Sequence, residues 1–288
     1  MVWEQANLSQ TSFRNYLCFN ERRECTSYSN FDYFSGSCKI FAERYSHSDA
    51  NTISMGEFPA YCLLESNRIS ISTELFLRSV FKQSDTGVLV SNHNIRQLVK
   101  IEDKRITCEK ISVLSINLTE EIGEIKSKFR NRFKSLINKG LREASVVEIT
   151  GTKVEAKLRY ELRALHLRSA KRRTRSYSKW NMQFQQIENG DAILICVYKD
   201  QRIINFSIFS LLGLVAYYQT GVNAPDCDVN YGSHLAIFVA ICALRKNKMS
   251  TLILSQHSLT GLSEKEKSIV HFKAGLARRE DHYFKFVW

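Results

Sequence analysis

The chain has 288 residues, of which 44% are hydrophobic and only two are proline, and a formal net charge of +12. That length and apolar content suffice for a sizeable core in one or two domains and exclude a disordered or proline-rich chain. The charge implies an anionic partner: nucleic acid, a polyphosphate cofactor or an acidic membrane surface.

The opening MVWEQANLSQ has neither the basic flank nor the apolar run of a secretion signal, so a cytoplasmic protein is expected. The most apolar stretch, Ile203–Tyr218, falls short of the roughly 18–20 residues of a membrane-spanning helix and contains Gly213. Eight cysteines occur without a CxxC pair, so reduced thiols and no metal are expected. Cys196 and Cys242 sit inside apolar runs and read as small core residues.

In the first 120 residues, aromatics cluster at Phe31–Phe34 and Phe41–Tyr45. Tyr61–Leu64, Ile69–Ile71, Gly87–Val90 and Ile111–Asn117 read as strands, with Thr73–Lys82 and Asn94–Val99 as short helices. Such a mixture without regular alternation indicates α+β. His47 and His93 stand alone in polar surroundings and suggest no ligand set.

Thr119 and Glu121 mark a helix start. Ile122, Ile125, Phe129, Phe133, Leu136 and Ile137 then form one helical stripe, with Lys126, Lys128, Arg130, Arg132, Lys134, Lys139 and Arg142 opposite and Gly140 ending or bending the helix. Ser145–Ile149 is a short strand, and Val154, Leu158, Leu162 and Leu165 mark a second amphipathic helix with His166 near its end. It leads into a basic arm, Arg168 to Arg175, in which Arg172, Arg173 and Arg175 carry the fork that grips phosphate or carboxylate in two places.

Phe184–Ile187 and Ala192–Tyr198 lead through a polar turn, Lys199–Arg202, into the apolar run Ile203–Leu211. Gly213 and the β-rich Leu214–Thr220 (LVAYYQT) complete a hairpin. Tyr217 and Tyr218 alternate there, so one of them faces the core. After the loop Asn223–Tyr231, Gly232-Ser233-His234 opens a run apolar on every side, Leu235–Leu244, expected to be a helix buried on several faces. Thr251–Leu254 is a buried strand that places Gln256 and His257 at its end, and Tyr283–Trp288 is the last strand. A strand ending in aromatic and amide side chains, then a loop, then a glycine-opened helix, builds an anion site from free backbone N–H groups.

The order of these motifs carries a resemblance. SKFRNRFKSLINKGL, AILICVYKDQRIINFSIF, VAYYQTG, NYGSHLAIFVAICALRKN and a late FKAG follow one another as in the acyltransferase domain of the GNAT superfamily, in its FemAB-like (BioF2-like) branch; the similarity covers roughly residues 125–288. The resemblance implies an α+β fold of tandem GNAT-type domains, each a mixed central sheet flanked by helices. Residues 1–120 would then be a divergent N-terminal domain, and residues 121–288 the acyltransferase domain with its leading basic helix. It puts donor binding beside Tyr218–Gly221 and at the helix opening Tyr231, Gly232, Ser233 and His234, and sets Lys273 near the cleft.

The implied chemistry is attack of an amine on an acyl thioester, which requires proximity, an oxyanion donor and a proton acceptor. Candidate donors are the backbone near Gln219 and the Tyr218 hydroxyl; candidate acceptors are His234, Asp226, Asp228 and His257. Arg172, Arg175, Gln256 and His257 are candidates for holding substrate. The expected donor is acyl-CoA or an acyl carrier protein, and the acceptor an amine such as an amino sugar in surface polysaccharide synthesis. An aminoacyl-tRNA-dependent transferase is the alternative within this branch. A non-enzymatic RNA-binding protein is a third possibility, weakened because Phe129 and Phe133 fall on the apolar stripe and leave the basic segments nearly free of exposed aromatics.

Overall fold

The computed structural model describes residues 106–287, apart from Gly213 and Arg278, and the backbone of five strands between Ser27 and Ser91. The expected strand Ile69–Ile71, the expected helices Thr73–Lys82 and Asn94–Val99, and His93 lie outside the described residues. Among the described residues the chain divides into two compact units. The first holds Leu114–Gln256 and Ser263–Glu280; the second takes residues from Tyr16–Val113, His257–Leu262 and Asp281–Trp288.

In the second unit, β1 (Ser27–Ser35), β2 (Cys38–His47) and β3 (Ala50–Ser54) form antiparallel neighbours. β4 (Ala60–Leu64) pairs with β2, and β5 (Thr86–Ser91) runs parallel to β3 and β4. β12 (Arg279–Val287) lies antiparallel to β5 and begins four residues before the expected last strand.

The first unit takes Leu114–Asn117 of β6 (Thr107–Asn117) and Thr251–Gln256 of β11 (Thr251–Ser258), and the strand order runs from β6 through β11, β10 (Val215–Asn223), β9 (Arg202–Leu212) and β8 (Ala192–Lys199) to β7 (Ser145–Ile149). β7 to β10 are antiparallel neighbours and β10 runs parallel to β11, so the sheet is mixed, as α+β requires. β8 explains why AILICVY carries no polar alternation: both of its faces are covered. Ile193, Ile195 and Val197 belong to one core, Ala192, Leu194 and Cys196 to another, and all six are fully buried.

Four helices cover the first core: α1 (Ile122–Ser127), α2 (Asn131–Glu143), α5 (Gly232–Lys246) and α6 (Glu264–Ala274). The second is covered by α3 (Ala156–Ala170) and α4 (Tyr177–Glu188). α5 is the buried helix expected from its all-round apolar run, except that Cys242 is exposed rather than a core residue, whereas Cys196 is buried. At its C-terminus Arg245 donates to the Leu118 carbonyl at 3.1 Å, a cation placed where the negative end of the helix dipole favours it. α6 opens with a capping box: the Ser263 hydroxyl accepts from the Glu266 N–H at 3.3 Å while the Glu266 carboxylate accepts from the Ser263 N–H at 2.8 Å.

Three expectations are corrected. The stripe from Ile122 to Ile137 is two helices, because Arg130 takes an extended conformation (ψ 141°) and gives its N–H to the Gly275 carbonyl at 3.1 Å; buried Phe129 keeps the stripe in phase across the break. Gly140 does not end α2, which runs on to Glu143. It is where α5 closes on α2, since a Cβ there would lie 3.0 Å from Leu235 and 3.1 Å from Tyr231. Finally, Phe184–Ile187 is part of α4 rather than a lead into the sheet; the Ser176 hydroxyl accepts the Lys179 N–H and starts that helix.

Candidate active site

The two central parallel strands do not stay together. β10 pairs with β11 only at Val215, Ala216 and Tyr217, although both strands continue beyond that point. At the same place β10 carries a bulge against β9: Tyr218 opposes Phe209 and Thr220 opposes Ile208, so Gln219 is the extra residue. A bulge reverses the alternation of a strand. Ala216 and Tyr218 therefore face the α2/α5 core, whereas Val222 packs in the α3/α4 core and Thr220 hydrogen-bonds Gln183 of α4.

Of the tyrosine pair, Tyr218 is the one that faces inward. It is 8% exposed and its ring stacks on Phe209 at 5.0 Å and 20°. Burial pushes its phenol above the ordinary tyrosine range, while a hydrogen bond with Ser207 acts in the opposite direction. The hydroxyl lies so close over Gly221 that a Cβ there would sit 1.7 Å from it, which accounts for the glycine. From Ser207 the polar chain continues. The Ser207 hydroxyl donates to Asn205 Oδ1 at 3.1 Å, Asn205 Nδ2 donates to Asn223 Oδ1 at 2.9 Å, and the Ser233 hydroxyl donates to the same Asn223 oxygen at 2.9 Å. Tyr218 at the bulge is thus linked to the first turn of α5. Gly232, at the head of that helix, packs against Asn205.

Lys273, in the last turn of α6, points its ammonium at the Tyr218 ring, 5.2 Å from the centroid. It forms no ion pair among the described residues, and burial depresses its pKa to about 8. Next to it, Phe272 meets the imidazole of His234 edge-on at 5.1 Å, and Phe133 meets the same imidazole at 4.4 Å. Nδ1 of His234 lies 3.1 Å from the Asn230 carbonyl and must donate to it. Nε2 is therefore the bare lone pair, buried and without a hydrogen-bond partner. Burial lowers the pKa of His234, opposed by the hydrogen bond to the Asn230 carbonyl and reinforced by Arg132, which favours the neutral imidazole.

On the opposite face the bulge is braced by α4. Gln183 is fully buried and donates to Gln219 Oε1 at 3.2 Å and to Thr220 Oγ1 at 3.3 Å. Arg175 donates to Gln183 Oε1 at 3.0 Å and to Thr220 Oγ1 at 2.8 Å, with its guanidinium 5.3 Å from the Trp180 ring. Sequence inspection missed Gln183, Thr220, Ser207, Asn205 and Asn223; the mixed polar stretch NMQFQQIEN around Gln183 does not mark which of its side chains are buried.

The structure therefore gathers Tyr218, Gln219, Gly221, Gly232, Ser233, His234, Lys273 and Arg175 around the bulge and the opening of α5. Tyr231 caps that helix but is fully buried against Gly140. Arg172 is exposed on the arm after α3 and is not brought to the bulge. Gln256 is half-buried on β11, and His257 belongs to the other unit. Asp226 and Asp228 line a separate cavity whose walls include neither Tyr218, Gln219 nor Lys273.

No family model and no curated protein matches the sequence. Solved structures do. FemX superposes with a TM-score of 0.64 at 9% identity, over 95% of each chain. L-PGS from Bacillus licheniformis gives 0.54 at 9%, over 99% of this chain and 89% of that one. A tandem GNAT protein from the clavulanic acid biosynthesis pathway gives 0.51 at 9%, over 95% and 87%. At such identities the likeness is one of fold: the chain shares the fold of FemX and of the tandem GNAT protein.

Proposed function

We propose that the protein is an N-acyltransferase that moves an acyl group from an acyl-CoA or acyl-carrier-protein thioester to an amine. The observation that carries this reading is the half-buried ammonium of Lys273 over Tyr218, without an ion pair among the described residues, at the point where β10 and β11 part. Beyond Tyr217 the peptide groups of β10 are not paired with β11, and we read them as the edge that a thioester meets. The opening of α5, with Gly232 and Ser233, offers backbone N–H groups to the donor's phosphates. On this reading the amine nitrogen forms a bond to the thioester carbon, and the carbonyl electron pair moves to oxygen beside the Lys273 ammonium. Collapse then breaks the C–S bond, the thiolate takes a proton, and the nitrogen loses one. His234 supplies the neutral, unpartnered nitrogen suited to accepting a proton, and the Tyr218 hydroxyl, kept protonated by burial, is suited to donating a hydrogen bond to the departing thiolate rather than its proton. An amino sugar of surface polysaccharide is the acceptor to test first. The first 120 residues are read as a second, divergent GNAT-type domain, and the cytoplasm, where CoA thioesters are held, as the site of action.

A second donor, aminoacyl-tRNA, is favoured by a surface feature. Tyr160 and Tyr177 are 68% and 66% exposed on the helices flanking the basic arm, and the Arg163 guanidinium lies 4.6 Å from the Tyr177 ring. Exposed aromatics are therefore interleaved with cations here, contrary to the expectation from sequence. Calorimetry with coenzyme A, acetyl-CoA and bulk tRNA at two salt concentrations separates the donors. Micromolar CoA binding that survives moderate salt supports the thioester. Binding to tRNA alone, falling steeply with salt, transfers the proposal to the charged tRNA.

A further inference from the structure

A cavity of about 590 Å³ opens between α3, the β8–β9 turn and the loop from β10 to α5. Its floor is apolar, with Leu165, Ile204 and Val229, and its rim is charged. Glu161, Asp200, Asp226 and Asp228 supply carboxylates; Arg168, Lys199 and Arg202 supply cations, with Asp200 between the last two in the β8–β9 turn. Among the described residues none of these seven makes an ion pair or a side-chain hydrogen bond, although both signs surround one opening. Glu161 and Arg168 lie two turns apart on α3, roughly 10 Å along the axis. Opposite charges held at that spacing, too far apart to neutralise each other, are matched by a molecule that reaches both. The volume is that of a small-molecule site.

We propose that this cavity binds a small amphoteric molecule with an apolar body, its ammonium held by Asp226, Asp228 and Glu161 and its anionic end by Arg168, Lys199 and Arg202. The site shares no residue with the Lys273–Tyr218 pair. Tyr218 and Ala224 are six positions apart in and just after β10, up to roughly 20 Å at strand rise. The inference is independent of the acyl-transfer reading and stands if that reading fails.

Cys227, half-buried in the cavity wall, provides the readout, and exposed Cys242 on α5 provides the internal reference. The probe is 8-aminooctanoate, whose charged ends are about 10 Å apart when extended, with octylamine and octanoate as probes carrying one end each. Alkylation of the full chain by iodoacetamide is followed at each cysteine by peptide mass spectrometry. 8-Aminooctanoate is expected to slow alkylation of Cys227 and leave Cys242 unchanged, and each single-ended probe to require at least about tenfold higher concentration, the loss of one charge-assisted contact. Asp226→Asn with Asp228→Asn, or Arg168→Gln, all at exposed positions, should bring the two-ended probe down to the single-ended level. Equal protection by a single-ended probe, protection insensitive to these substitutions, or none from 8-aminooctanoate at millimolar concentration would each overturn the proposal. The comparison of probes on the unmodified protein holds even where a variant folds poorly.

Discussion

The ammonium of Lys273 lies 5.2 Å from the ring centroid of Tyr218, with no carboxylate paired to it among the described residues. A half-buried cation left to an aromatic face is costly as structure and useful as a partner for developing negative charge. Lys273→Met keeps most of the aliphatic stem and removes the charge. It should lower kcat/KM for the transfer by about 10²–10³-fold, the scale of one lost oxyanion donor, while near-UV circular dichroism stays that of the parent. A variant within threefold of the parent would remove Lys273 from the chemistry.

The same lysine sets a pH limit. Its pKa is depressed by burial to about 8, so the ammonium is present below that pH and lost above it. If the charged form assists the reaction, kcat/KM falls on the alkaline side of about pH 8, and Lys273→Met flattens that limb. Stability moves in the opposite sense. With the folded pKa below the unfolded one, the lysine's contribution is fully present above the unfolded value and is lost as pH falls through about 8. Chemical denaturation from pH 7.5 to 10 on parent and Lys273→Met isolates this term; a difference that does not change with pH would show that the lysine is not buried.

Gly221 and Tyr218 are coupled by contact. A Cβ at position 221 would meet the Tyr218 hydroxyl at 1.7 Å and its ring carbon Cζ at 2.6 Å. Gly221→Ala is therefore expected to destabilise the fold by about 3 kcal/mol. Adding Tyr218→Phe should recover part of that loss, because the hydroxyl contact goes and the ring contact remains. Urea unfolding of the two single variants and the double variant measures the coupling; strict additivity would place the phenol elsewhere.

Thr220 accepts from both Arg175 and Gln183, and Gln183 is fully buried. Thr220→Val keeps the shape and leaves both donors short of an acceptor, which should cost about 1–3 kcal/mol. Thr220→Ser keeps the oxygen and should cost less than half as much. Guanidinium midpoints decide, and equal losses for Val and Ser would mean that packing rather than hydrogen bonding sets the cost.

Much of this architecture was legible in the residues. The all-round apolar run after Gly232 forecast a buried helix because no face was left polar, and FKAG pointed to Lys273. α4 was not legible: Gln183 and Gln186 are buried polar residues, and their place in the stripe breaks the periodicity by which a helix is recognised. The break at Arg130 was hidden for the opposite reason, since Phe129 continues the stripe while the backbone does not continue the helix.

The sequence by itself determined most of the strands, the burial of α5 on several faces, the excess of positive charge and the set of residues with chemistry to offer. Periodicity and turn residues act over a few positions, and these features need nothing longer. Only the tertiary structure decided that Tyr218 rather than Tyr217 faces inward, that Gln219 bulges, that Arg175 reaches the bulge while Arg172 does not, and that Asp226 lines a different cavity. Each depends on pairing between strands or packing between helices far apart in the chain, and a one-residue change in strand register moves every following side chain to the other face.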